Sequence, residues 1–70
     1  MNPVTKEEVL SEEYIRSIYF SSSPKTRYSA SVSYYSALMH VEFITKDDYY
    51  FVTSYLISLL KADIPKGTEE

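Results

Sequence analysis

The sequence predicts an all-α fold, two or three short helices packed as a small hairpin or bundle. Three observations carry this reading. A helix-capping phrase occurs twice, the middle of the chain lacks the residues of a tight turn, and the last apolar stretch recurs at helical spacing. Together they place one small domain over residues 1–64 and a flexible tail at 65–70.

The first helix is announced by Thr5. A threonine at the N-cap, Glu8 three residues on and Val4 with Val9 on either side form a capping box with a hydrophobic staple. Val9, Leu10, Tyr14, Ile15 and Ile18 then fall on one arc, with Glu12, Glu13 and Arg16 elsewhere. Ser21-Ser22-Ser23-Pro24 interrupts the pattern, and Ser23-Pro24 suits an N-cap followed by Pro in the first helical position.

Two patterns compete in the middle segment. Tyr28 to Tyr34 and Met39 to Phe43 alternate as half-buried strands do, so the alternative fold is α+β, with a two-stranded hairpin at 27–44 between helices. Against it, no Gly, Asn, Asp or Pro lies between 28 and 41 to make the turn. As a helix, the same stretch lines Tyr28, Val32, Tyr35, Leu38 and Met39 on one face, which is the reading preferred here.

The last helix repeats the grammar of the first. Ile44-Thr45-Lys46-Asp47-Asp48-Tyr49 matches Val4-Thr5-Lys6-Glu7-Glu8-Val9 in character at each position. Convergence on good capping explains this more simply than duplication, since acids in the first turn favour the helix dipole in both places. The helix should run to about Ala62 and stop at Ile64-Pro65. At 100° per residue, Phe51, Val52, Tyr55, Leu56, Leu59, Leu60 and Ala62 sweep roughly half the circumference, and Tyr50 with Ile57 fall outside that arc. So much apolar surface calls for cover on more than one side, by a second copy or by a partner.

Composition limits the function classes. A chain of 70 residues is marginal as a lone fold and usually needs a staple, yet it has no cysteine and one histidine, so neither disulfide nor metal cluster supplies it. No cofactor or metal is expected, and no enzyme, because His40 is the only imidazole and no Gly-rich elbow or phosphate loop surrounds a Ser. The acidic pairs at 7–8 and 47–48 are explained by helix-start electrostatics. A net charge of -3 argues against nucleic acid as the main partner. The longest apolar window is too short for a bilayer and no secretion signal opens the chain, so a cytoplasmic setting without membrane contact is expected.

Tyrosine is in excess, eight residues with no tryptophan. Tyr combines a large contact area with few rotors and one polar end, which suits binding surfaces as well as the boundary of a small core. In the adjacent pairs Tyr34-Tyr35 and Tyr49-Tyr50 the two members must point to different faces. The candidate interface residues are Tyr50 and Ile57, with Tyr34, Tyr35 and Tyr55 behind them. For a nucleic-acid surface, the alternative, the candidates are Lys25, Arg27 and Tyr28, with Arg16 as a further cation that could join them.

Residues 38–60 resemble the short helical hairpins called SHOCT domains, through Phe43-Ile44-Thr45-Lys46-Asp47-Asp48-Tyr49 and the closing Leu59-Leu60. Glu42 stands where that family has Gly, which counts against a tight turn. Leu10-Ser11-Glu12-Glu13-Tyr14-Ile15 with Tyr19-Phe20 is similar to the first helix of a small bacterial inhibitor of sporulation histidine kinases. These likenesses imply a bacterial, phage or mobile-element protein that acts without catalysis. The function expected is a protein-interaction module that inhibits or regulates a larger partner and self-associates; the alternative is a small nucleic-acid-associated regulator.

Overall fold

The structure, a computed structural model, describes residues 4–67, with the backbone alone over 63–67. Its elements run α1 (Lys6–Val9), α2 (Glu12–Phe20), α3 (Arg27–His40) and α4 (Lys46–Gly67), and no strand occurs among the described residues. The hairpin alternative for 27–44 is thereby set aside, since α3 occupies most of that stretch. Without turn formers the period-two pattern has nowhere to reverse, and as a helix its serines simply spread around the axis.

The expected first helix is two helices. Thr5 caps α1 as foreseen, its Oγ1 accepting from the Glu8 amide at 3.1 Å. The chain then breaks at Leu10-Ser11, and Ser11 begins α2 by accepting from the Tyr14 amide at 3.2 Å while its hydroxyl donates to the Glu8 carbonyl at 2.8 Å. One serine thus ends one helix and starts the next, followed by Glu12 and Glu13 in the favoured positions of a first turn. The break turns Val9, Ile15 and Tyr19 into the core, and Tyr19 was not part of the predicted arc.

Helix α3 starts three residues later than Ser23-Pro24 implied. Pro24 instead occupies the second position of a turn closed by the Thr26 amide on the Ser23 carbonyl at 3.0 Å, a place that its fixed φ favours. Ser31 and Tyr35 are the buried residues of α3, while Tyr28, Val32, Leu38 and Met39 pack partly covered against the core, so the predicted face is the one used.

The connection from α3 to α4 is tighter than Glu42 promised. Glu42 takes φ 65°, its amide donates to the Met39 carbonyl at 2.9 Å, and the Phe43 amide donates to the Leu38 carbonyl at 2.9 Å. This is the Schellman arrangement, with glutamate in the left-handed residue that usually is glycine. Bonds that satisfy the last carbonyls of α3 offset a Cβ penalty of about 1 kcal/mol.

Thr45 and Asp48 then cap α4 reciprocally, the Asp48 amide donating to Thr45 Oγ1 at 3.1 Å and the Thr45 amide to Asp48 Oδ2 at 3.0 Å. Asp48 also receives Lys6 Nζ at 3.0 Å, which ties the starts of the two similarly written helices together. The Thr45 amide first, and Lys6 after it, hold the Asp48 carboxyl below its ordinary range. At its far end α4 continues to Gly67 rather than stopping near Ala62. Pro65 there removes the amide that would have bonded back to residue 61, so the helical backbone passes through it without that bond. Of the predicted tail, residues 68–70 lie outside the described residues.

Seven apolar residues form the buried core: Val9, Ile15, Tyr19, Tyr35, Ile44, Val52 and Leu56. The Tyr35 hydroxyl satisfies itself on the Val9 carbonyl at 2.7 Å, joining α3 to the end of α1. The principal extents are 39 × 27 × 16 Å. Two packed helices span roughly 13–15 Å between outer backbones, so the molecule is about two helices thick. Every helix in such a slab keeps an uncovered side.

Candidate protein-contact surface

The uncovered side of α4 is where apolar residues accumulate. Val52 and Leu56 are buried and Tyr49, Tyr55, Leu59 and Leu60 half-buried, which fixes the inward face. On the opposite side Tyr50 is 57% exposed, Phe51 53% and Ile57 40%. Ser54, Ser58 and Lys61 are exposed among them. The sequence placed Phe51 and Ala62 inside the apolar arc; both are exposed, because a slab two helices thick shelters a narrower strip than the arc assumed. Val41, 72% exposed, and Phe43 add apolar surface at the turn before α4.

The five candidate interface residues separate. Tyr50 and Ile57 stand on the outer face of α4. Tyr55 is half-buried and packs against the core. Tyr35 is instead wholly buried, because it lies on the α3 face that meets the rest of the protein, and its hydroxyl is already engaged. Tyr34 lies at the surface of α3, but its hydroxyl shares a 2.8 Å hydrogen bond with that of Tyr14, and its ring stacks at 6.4 Å on Tyr14 and edge-on at 5.2 Å to Tyr35. Burial first, then the Tyr14 hydrogen bond, push the Tyr34 phenol up to about 12. Burial chiefly, with the neighbouring phenols Tyr34 and Tyr14, raises Tyr35 as well. Both groups belong to the fold's own fabric.

The nucleic-acid candidates are also divided. Lys25 is exposed, but Tyr28 packs partly buried against the core, which covers much of the ring a base would stack on. Arg27 lies over the ring of Phe20 at 4.9 Å and Arg16 over the same ring at 5.9 Å. Phe20, half exposed and edge-on to Tyr19 at 4.9 Å, is thus the aromatic that gathers cations here. Its place at the end of α2 beside the start of α3 gave no signal in the sequence pattern.

A concavity of about 640 Å³ lies at the α3–α4 turn, lined by Met39, His40, Glu42, Ile44, Thr45 and Lys46. It brings one imidazole near one carboxylate and one ammonium, with no nucleophile and base in hydrogen-bonded register. No group of three metal-ligating side chains occurs among the described residues. No helix among them is long and apolar enough to cross a membrane. Compared with known proteins, the chain matches no family model, no curated protein and no solved structure.

Proposed function

We propose that this chain acts by contact, as a non-enzymatic module that covers a surface of a larger protein and thereby inhibits or regulates it. The observation that carries the reading is the outer face of α4, where Tyr50, Phe51 and Ile57 stand exposed on a helix whose other side packs against the core. Covering the exposed part of each side chain is worth on the order of 1 kcal/mol. Tyr and Phe are also the residue types that concentrate binding energy in protein interfaces. The likeness to SHOCT hairpins and to a kinase-inhibitor helix supports a cytoplasmic setting in a bacterium, phage or mobile element.

The test is affinity capture from the cells that carry the chain, with wild type and the doubly substituted Tyr50→Ser, Ile57→Ser protein as baits. A partner retained by wild type and lost by the folded variant is the expected result; identical captured sets would overturn the reading. A nucleic-acid role finds support in the paired guanidiniums on Phe20. It requires an affinity for DNA or RNA that falls steeply with salt and is lost in Arg16→Ala.

A further inference from the structure

We infer that the outer face of α4 pairs with the same face of a second copy, the two helices antiparallel about a two-fold axis at Ser54. The inference rests on the contact role proposed above for this face and names its first occupant. A larger partner would then compete with the second copy for one surface.

The argument begins with spacing. Asp47, Tyr50, Ser54, Ile57 and Lys61 follow one another at intervals of three, four, three and four, which is the seam of two helices packed side by side. All five are exposed. At the centre sits a small side chain, Ser54, which lets two backbones approach closely.

Charge then selects the direction. Asp47 and Lys61 each lie seven residues from Ser54, roughly 10.5 Å along the axis on either side. Neither has an ion-pair partner among the described residues, unlike Lys6 and Asp48, which pair with each other. In an antiparallel pair each Asp47 comes beside Lys61 of the second copy, twice by symmetry. A parallel pair would set Asp47 against Asp47 and Lys61 against Lys61, so the like charges exclude it.

The apolar residues fit the same operation. Tyr50 and Ile57 lie on one flank of the seam, roughly 6 and 4.5 Å from the level of Ser54 in opposite directions. The two-fold therefore brings Tyr50 against Ile57 of the second copy, once at each end. On the other flank Phe51 meets Ser58, a large side chain over a small one. Charge, bulk and spacing are all complementary to themselves about one residue, and only the antiparallel two-fold satisfies all three.

The chain's lack of cysteine makes the test direct. Ser54→Cys should form a disulfide-linked dimer under mild oxidation about tenfold faster than Ser33→Cys, whose thiol sits on the exposed side of α3, because the pairing holds the two sulfurs introduced at the axis together. Sedimentation of wild type should reveal reversible doubling of the 8.1 kDa mass. Asp47→Lys and Lys61→Asp should each weaken that association about tenfold, and the two together should restore it, with circular dichroism confirming equal helix content. Equal cross-linking rates, or a charge swap that stays as weak as its single variants, would overturn the pairing. If wild type is monomeric while Tyr50→Ser, Ile57→Ser still abolishes capture of a partner, the pairing fails and the contact role stands; if capture survives as well, both fail.

Discussion

Two pairs of adjacent tyrosines use the same residue type in opposite ways. In α3, Tyr35 is buried with its hydroxyl on the Val9 carbonyl, and Tyr34 beside it is held by ring and hydroxyl to Tyr14. In α4, Tyr49 is half-buried, while Tyr50 stands 57% exposed with only the ring of Tyr49 nearby at 6.0 Å. The first pair has both polar ends occupied inside one protomer, so its rings are structural. The second leaves one large ring mostly exposed, its hydroxyl without a hydrogen bond among the described residues. The difference lies in the neighbours: α2 and the end of α1 give α3 a polar and aromatic counterpart, whereas the outer face of α4 has none among the described residues.

The comparison breaks first at Tyr35. Removing the ring in Tyr35→Ala should cost about 3–5 kcal/mol, a large share of the few kcal/mol that a domain this small holds, and denaturant melts should find little folded protein left. Tyr35→Phe keeps the ring and strands a buried carbonyl, so a loss of about 1–3 kcal/mol is expected in the same assay.

Alkali tests the pair without mutation. Tyr34 and Tyr35 ionise later in the folded chain than when unfolded, so folding holds their protons and the stability this gives is complete below pH 10. It should fall as pH rises from about 10 through 12, with the tyrosinate absorbance of these two phenols appearing late and together with loss of helix. A titration in which all eight phenols ionise at their ordinary value with the helices intact would contradict the structural role of the first pair.

Between the two pairs lies the left-handed Glu42. Glu42→Gly should raise stability by about 1 kcal/mol in denaturant melts, since glycine meets φ 65° without a Cβ penalty, and both tyrosine pairs should keep their roles. The smallest effect sharpens the contrast most. Tyr50→Ser should change the unfolding free energy by no more than about 0.5 kcal/mol, because most of the ring lies outside the core, and should weaken association if the proposed contact holds.

Much of this was legible along the chain. Thr5 and Thr45 cap as their phrases indicate, the middle is helical because it lacks turn residues, and Tyr50 with Ile57 lie off the inward arc as their angles require. What escaped depends on long-range packing or on rules overridden locally. Ser11 reads as one more serine within an amphipathic run, and only the packing of two short helices makes it a boundary. Tyr34 and Tyr35 are chemically identical neighbours, so which one turns inward is settled by where α2 lies. Glu42 adopts a conformation its side chain disfavours because the flanking helices over-determine the turn. Phe51 looked like core because an arc drawn on one helix does not know how thin the rest of the molecule is.

Asp48 serves two joints with one carboxylate, closing the cap of α4 and receiving the ammonium of Lys6. A group held below its ordinary range lends its stability above that range and withdraws it as pH falls through its own lowered value. One added proton therefore weakens the carboxylate half of the α4 cap and the tie to Lys6 in the same event, while the Asp48 amide keeps its bond to Thr45 Oγ1. Acid would loosen the molecule at that hinge while the tyrosine and aliphatic interior, which has nothing to protonate there, stays shut.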